Sequence, residues 1–172
     1  MTVRLATPAD AMDIAYIHVD TWQSAYRGMI PDTYLDTLSL SQRGNWWLKT
    51  LTDPDDPTFV FVALDDQGQP VGFVEGGPQR NKDIPIDGEL YAIYVLKQNQ
   101  GQGHGRDLFL ATVRELHKQN INNMILWVLK DNAPARRFYE SMGGELTGEQ
   151  QFDLAGTTLT EVATSIPTSQ PS

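Results

Sequence analysis

The chain has 172 residues, of which 40% are hydrophobic and 20% charged, and a formal net charge of −9 at pH 7. This composition is typical of one folded globular domain and excludes a disordered chain. The absence of cysteine excludes disulfides, thiolate metal sites and a cysteine nucleophile, and the acidic balance argues against nucleic acid as a partner. No apolar stretch reaches the ~20 residues of a membrane-spanning helix, and no signal segment is recognisable, so we expect a cytoplasmic protein with no membrane partner.

The first third of the chain is predicted to be mainly helical. After a short strand at residues 3–6, the segment Thr7-Pro8-Ala9-Asp10 has the features of a helix start: a capping threonine, proline in the first turn and an acid three residues after the cap. Apolar residues then recur at helical spacing until Arg27-Gly28 interrupts the pattern. Further helical pieces follow between residues 31 and 52.

The rest of the chain alternates strands with helices. The expected elements are strands at residues 59–64, 71–75 and 89–96, a helix at 103–119, a strand at 124–129, a helix at 133–142, and strands at 145–154 and 157–166. Hairpin-connected strands are antiparallel, whereas the strands on either side of the first of these helices must be parallel. The predicted fold class is therefore α/β (α+β), with a mixed, mostly antiparallel sheet of six or seven strands flanked by helices. We expect a single domain over residues 1–166 and a polar tail over 167–172.

A glycine-rich loop, Gln100-Gly101-Gln102-Gly103-His104-Gly105, lies between a strong strand and a strong helix. Its alternate glycines leave the backbone N–H groups uncovered, and the helix N-terminus adds ~0.5 of positive charge, so the loop suits an anion. The spacing G-x-G-x-G does not fit the dinucleotide fingerprint, and Gly105-Arg106-Asp107 does not fit the phosphate loop of nucleoside triphosphatases. Two interpretations stay open: a pyrophosphate loop of the coenzyme A type, or a plain tight turn.

This loop and a second motif together resemble the GNAT superfamily of acyl-CoA N-acyltransferases. The superfamily pattern Q/R-x-x-G-x-G/A is matched by Gln100, Gly103 and Gly105, and the pattern N-x-x-A-x-x-F/L-Y-E-x-x-G is matched by Asn132, Ala135, Phe138, Tyr139, Glu140 and Gly143. Each motif stands at the expected strand-to-helix junction, and the predicted order of elements matches over residues 2–166. One departure is Lys97-Gln98, where many members have Pro-Glu. The resemblance implies a sheet that is splayed between its fourth and fifth strands.

The resemblance implies acetyl-CoA as co-substrate and no metal. Its pantetheine arm would pair with the backbone at residues 93–95, and its pyrophosphate would bind the backbone amides of residues 101–106. Asn132 would cap the following helix and touch the cofactor. The implied cofactor-binding residues are Ile93, Tyr94, Val95, Gln100, Gly101, Gln102, Gly103, His104, Gly105, Arg106, Asn132 and Tyr139.

The resemblance also implies direct attack of an amine on the thioester, without a covalent enzyme intermediate. An alkyl ammonium has a pKa of ~10.4, so a base must remove its proton. Glu89 is the implied base, eleven residues before Gln100; the alternatives are that Glu89 is a solvated surface acid or that Glu75 is the base. Tyr139 occupies the position of the general acid that protonates the leaving thiolate, although without the motif it would be interpreted as a core aromatic.

The implied acceptor is a primary amine of a small molecule or peptide. In the superfamily the first helices line the acceptor side, which implies Trp22, Tyr26 and Arg27 here. Residues 1–96 carry 14 acidic and 6 basic side chains, which favours a cationic amine, with chance clustering of surface charge as the alternative. A homodimer is suggested by analogy alone. The competing function is a non-catalytic acyl-CoA-binding or regulatory module with the same fold.

Overall fold

The strand patterns of the sequence combine into one seven-stranded sheet, in the order β1-β2-β3-β4-β5-β7-β6. The computed structural model describes residues 2–168. Its strands are β1 (Thr2–Leu5), β2 (Phe59–Leu64), β3 (Pro70–Pro78), β4 (Gly88–Val95), β5 (Asn123–Leu129), β6 (Glu145–Leu154) and β7 (Thr157–Pro167). Its α-helices are α1 (Ala11–Ala25), α2 (Asp32–Leu35), α3 (Leu40–Thr52), α4 (His104–Lys118) and α5 (Ala133–Ser141). β4 and β5 are parallel and the other pairs are antiparallel, which confirms the predicted mixed sheet.

Apolar side chains cover both faces of this sheet. On one face, α4 and α5 pack against the strands, and Leu108 is fully buried there with Met124 of β5. On the other face, α1 and α3 enclose Ile17, Trp47 and Phe73. Burial of each side chain of this size contributes about 1.5–3 kcal/mol relative to exposure. None of the helices within residues 2–168 is long and apolar enough to cross a membrane.

The start of α1 differs slightly from the prediction. Thr7 and Asp10 form the predicted capping arrangement, in which the Thr7 N–H donates to Asp10 Oδ2 at 2.8 Å. Arg4 donates to the same carboxylate at 2.8 Å, and this hydrogen bond lowers the pKa of Asp10. The first turn, Pro8–Asp10, is a 3₁₀ turn, and the α-helix begins at Ala11.

The splay between the fourth and fifth strands is confirmed. β4 and β5 pair at only two positions, Gly88 with Met124 and Glu89 with Ile125. Beyond them β4 stays paired with β3, and β5 pairs with β7 along its whole length. The two parallel strands therefore separate towards the N-terminus of α4, and one edge of β4 is left without a neighbouring strand.

The C-terminal boundary lies further along the chain than predicted. Pro167 still pairs with Asn123 as the last residue of β7. The following Thr168 is buried, and its N–H donates to the carbonyl of Asn122 at 2.9 Å. The predicted tail thus begins two residues too early, because backbone pairing beside β5 continues past the last apolar residue. The remainder of that prediction, residues 169–172, lies outside the described residues.

Candidate active site

A cleft of about 890 Å³ opens where β4 and β5 separate. Its walls are the free edge of β4, the loop into α4, the start of α5, the end of α1 and the β6–β7 hairpin. The size is in the usual range for a ligand pocket, about 300–1,000 Å³. The cleft brings together most of the predicted site residues: Trp22, Tyr26, Glu89, Ile93, Tyr94, Val95, Gln100, Gly101, Gly103, Gly105, Arg106, Asn132 and Tyr139. Arg27, Gln102 and His104 do not line it.

The loop between β4 and α4 presents a row of free backbone N–H groups. Gly101 and Gly103 have φ angles of +74° and +91°, a left-handed conformation that glycine adopts without steric cost. No backbone N–H of residues 101–106 donates a hydrogen bond to another described residue; the first to do so is that of Asp107, to Gly103 O at 3.0 Å. These groups stand at the positive end of the 15-residue helix α4. The arrangement suits a diphosphate, which fits the coenzyme A interpretation.

The side chains of this loop support its shape. Gln100 Nε2 donates to Val95 O at 3.0 Å, and Gln102 Nε2 donates to Gln98 O at 3.3 Å. The side chain of His104 is buried, and its Nδ1 has no hydrogen-bond partner in the described part of the chain. The loop is therefore held in part by the side chains of Gln100 and Gln102.

The free edge of β4 offers hydrogen-bonding groups from alternate residues. Leu96 N–H donates to Val71 O on β3, and neighbouring residues of a strand point their backbone groups in opposite directions. The backbone groups of Ile93 and Val95 are therefore directed to the cleft, whereas those of Tyr94 are directed to β3, its antiparallel neighbour. The predicted backbone contribution of Tyr94 does not fit this register, and Tyr94 reaches the cleft as a side chain.

α5 presents Tyr139 to the cleft. Asn132 caps the helix, because its Oδ1 accepts the N–H of Ala135 at 3.3 Å. Tyr139 is only 8% exposed and packs edge-on against Phe138, with ring centroids 5.4 Å apart. Burial, with a smaller contribution from Tyr26, raises the pKa of Tyr139 above the ordinary value for tyrosine. The hydroxyl therefore stays protonated at neutral pH and can donate a proton within the cleft.

Glu89 lies at the start of β4 and is held by Arg80. The Glu89 side chain is 4% exposed, and Arg80 Nη2 approaches its Oε2 at 2.5 Å. Arg80 Nε donates to both carboxylate oxygens, and the Arg80 backbone N–H donates to Oε1 at 3.1 Å. The guanidinium also lies 4.4 Å from the ring centroid of Tyr91. The alternative that Glu89 is a solvated surface acid is therefore wrong. Its carboxylate is buried, is neutralised by the ion pair with Arg80 and lines the cleft.

Glu75, the alternative base, is buried elsewhere. It is 9% exposed and does not line the cleft. Its Oε2 has no hydrogen-bond partner among the described residues. Burial, together with the charge of Asp56, raises the pKa of Glu75 to about 7, so the carboxyl is partly protonated at neutral pH.

We expect Glu75→Gln to stabilise the protein at pH 8 and not at pH 5. The pKa of Glu75 rises from 4.5 to about 7 on folding, so between these values the folded state binds a proton that the unfolded state lacks. Stability therefore falls as pH rises through this window, by about 3 kcal/mol in total. Glutamine removes that loss, and urea unfolding of both proteins at the two pH values measures it. The exposed Glu140→Gln is the control, and an equal stability difference at pH 5 and pH 8 would show that burial does not raise this pKa.

Two aromatic side chains from α1 and its end form the opposite wall. The rings of Trp22 and Tyr26 meet edge to face, with centroids 5.0 Å apart. Burial raises the pKa of Tyr26, and the Trp22 indole N–H is buried with no hydrogen-bond partner in residues 2–168. Arg27 is turned away from this wall, because it forms ion pairs with Asp32 at 3.2 Å and Asp36 at 2.7 Å. Asp32 in α2 and Asp36 directly after it therefore hold Arg27 outside the cleft.

Several lining residues were not expected from the sequence. Arg80 follows β3 and reaches Glu89 across the β3–β4 connection, and Gly77 pairs with Glu89 in the sheet. The hairpin register could therefore have suggested the ion pair. Trp127 and Glu161 come from β5 and β7, and only the order of strands brings them to the cleft. No cluster of histidine, aspartate and glutamate suited to a metal ion occurs in the described part of the chain.

Comparisons with known proteins agree with this architecture. The family model for the acetyltransferase (GNAT) family matches residues 17–144. The uncharacterized N-acetyltransferase YuaI of Bacillus subtilis (strain 168) is 38% identical over 168 residues, which cover 97% of this chain and 93% of YuaI.

Two solved structures show the same fold. The ribosomal-protein-alanine N-acetyltransferase of Brucella melitensis superposes with a TM-score of 0.76 at 24% identity, over 97% of this chain and 99% of that one. A GNAT superfamily phosphinothricin acetyltransferase from Sinorhizobium meliloti, solved in complex with acetyl-CoA, gives 0.73 at 22% identity, over 96% and 87%. Since the family model spans most of the chain and YuaI matches nearly all of it, the chain belongs to the GNAT family and is an acetyl-CoA-dependent N-acetyltransferase.

Proposed function

We propose that this enzyme acetylates a primary amine of a small molecule or peptide by direct attack, without a covalent enzyme intermediate. The supporting observation is a single cleft that joins the loop of free N–H groups, through Gly101, Gly103, Gly105 and Arg106, to Tyr139 and Glu89. An anion site and two proton-transfer groups in one cleft are what amine acetylation requires.

The cofactor-binding roles follow from the free backbone groups. The N–H groups of residues 101–106 hold the diphosphate, with Lys97 and Arg106 as nearby positive charges. Ile93 and Val95 offer backbone groups to the pantetheine arm, and the Val95 N–H is the donor available to the carbonyl oxygen. Acetyl-CoA supplies the activated acetyl thioester. Gln100 and Asn132 act by holding the loop and the helix, since their side chains bond to Val95 O and to the N–H of Ala135.

The proton-transfer roles fall to Glu89 and Tyr139. About one alkyl ammonium in a thousand is neutral at pH 7, so removal of a proton is required before attack. Glu89 accepts this proton, and the ion pair with Arg80 fixes the orientation of the carboxylate at the cleft wall. Tyr139 Oη holds the proton that the leaving sulfur takes. A cationic acceptor is favoured by the acidic first part of the chain, and the exposed edge strand β6 offers a surface for a homodimer.

The test of this proposal is release of free thiol from acetyl-CoA in the presence of a panel of amines. We expect Glu89→Gln to lower kcat/KM at pH 7 about a hundredfold, because an efficient general base contributes 10²–10⁴. The deficit should shrink as pH rises, because solvent then supplies the neutral amine. Glu75→Gln is the matched control and should keep its activity. If Glu89→Gln were fully active and Glu75→Gln inactive, the general base would be Glu75 and not Glu89.

A further inference from the structure

The charged side chains of the cleft fall into three groups. Lys97 and Arg106 stand beside the free N–H groups of the glycine-rich loop. Arg80 and Glu89 neutralise each other across 2.5 Å. Glu161 is the remaining charge of the lining, and no basic side chain within residues 2–168 forms an ion pair with it.

The position of Glu161 is fixed by the sheet. In β7 it lies between Leu129 of β5 and Gln150 of β6. Gln150 Nε2 donates to Glu161 Oε1 at 2.5 Å, and the other carboxylate oxygen accepts no hydrogen bond from a described residue. One oxygen is therefore held by the hairpin, and the second is available to a ligand.

Aromatic side chains share the cleft with this carboxylate. Trp22, Tyr26, Trp127 and Phe152 all line it, and the negative charge of Glu161 adds to burial in raising the pKa of Tyr26. An ion pair is stronger beside such apolar surface than in water, and ring faces attract cations. A carboxylate in this setting suits an alkyl ammonium group.

A second glutamate of the same hairpin, outside the cleft, provides a comparison. Glu149 precedes Gln150 and lies on the outside, where Lys130 neutralises it at 3.1 Å. Glu161 has no such partner among the described residues, although Lys130 follows its cross-strand neighbour Leu129. Lys130 therefore neutralises Glu149 outside the cleft, whereas the charge of Glu161 is left for a ligand in the cleft to neutralise.

We infer that the acceptor carries a second cationic nitrogen besides the amine that is acetylated, and that Glu161 binds it. This inference rests on the proposed amine acetylation and narrows the acceptor to diamines and related polycations. A neutral acceptor would leave the carboxylate uncompensated beside aromatic rings, and an anionic one would be repelled. Glu161 would thus set the specificity of the cleft, whereas Glu89 takes the proton.

The test compares putrescine, a diamine, with n-butylamine, a monoamine of the same length, in the thiol-release assay at low salt. The wild type should favour putrescine in kcat/KM by roughly 30-fold, the effect of one hydrogen-bonded charge. Glu161→Gln should lose this preference, mainly through a lower kcat/KM with putrescine. Glu149→Gln, the matched control, should keep the preference.

The outcomes separate this inference from the proposed function. Equal use of both amines by the wild type, or an unchanged preference in Glu161→Gln, overturns the role of Glu161 while amine acetylation stands. Absence of thiol release with every amine overturns the proposed acetylation. Calorimetric titration with putrescine then still tests the role of Glu161. Binding by the wild type that is lost in Glu161→Gln supports the inference. Equal heats of binding for the two proteins contradict it.

Discussion

Replacement of Tyr139 by phenylalanine is expected to lower kcat about a hundredfold and to leave the affinity for coenzyme A unchanged. The buried hydroxyl is the proposed proton donor on the α5 side of the cleft, and with its raised pKa it is protonated at neutral pH. A positioned acid typically contributes 10²–10⁴ to the rate. The ring of the variant is expected to keep its packing against Phe138, so the fold and the proposed diphosphate site should be preserved. Steady-state kinetics and calorimetry with coenzyme A measure the two effects separately.

The exposed Tyr16→Phe is the matched control, because Tyr16 is half-exposed on α1, outside the cleft. It should behave as the wild type in both measurements. Full activity of Tyr139→Phe would mean that water or another group protonates the sulfur. A parallel loss of coenzyme A affinity would mean that Tyr139 acts in binding.

Gly105→Asp is expected to weaken coenzyme A binding roughly a hundredfold, because a new negative charge would stand among the N–H groups proposed to hold the diphosphate. Gly105 lines the cleft, and a Cβ at this position would have its nearest contact 3.7 Å away on the Phe138 ring. Aspartate in the first turn of a helix stabilises that helix, so the loss would be one of binding and not of folding. Calorimetric titration measures the affinity, and thermal unfolding measures the stability.

The control for this charge effect is Gly105→Ala. The added methyl group meets Phe138 at an ordinary contact distance, and alanine is the better helix former. It should bind coenzyme A almost as the wild type does. If neither alanine nor aspartate weakens binding, the diphosphate lies elsewhere.

Features that depend on local chemistry were predictable from the sequence. The glycine-rich loop needs a left-handed backbone at Gly101 and Gly103. The spacing of the glycines in the sequence is enough to predict this loop before α4. The cap of α5 at Asn132 and the tight turn at Ala155-Gly156, with φ of +50° and +77°, are likewise set by residues within a few positions.

The length of β3 was underestimated because its end depends on distant contacts. The predicted strand stopped at residue 75, since glycine has a low preference for strands. In the fold, Gly76 and Gly77 continue the strand by pairing with Leu90 and Glu89 of β4. A Cβ at Gly76 would lie 2.9 Å from the ring of Phe59. Glycine is used here for close packing, which a single sequence does not reveal.

Directions of side chains and backbone groups also required the fold. Arg27 follows the α1 aromatics in the chain, yet its ion pairs with Asp32 and Asp36 keep it away from the cleft. Tyr94 lies between two residues whose backbone faces the cleft, and the register with β3 turns its own groups aside. Glu161 is far from the motifs in sequence, and the placement of β7 beside β5 brings it to the cleft. Each of these outcomes is set by contacts between elements.

The most direct measurement is the change in backbone amide NMR signals when coenzyme A is added to the ¹⁵N-labelled protein. If the N–H groups at the start of α4 bind the diphosphate, the largest shifts will fall on residues 101–106, with smaller ones at Ile93 and Val95 on the open edge of β4. If coenzyme A saturates the protein while those signals do not shift, and the largest changes fall elsewhere, the result contradicts the proposed site.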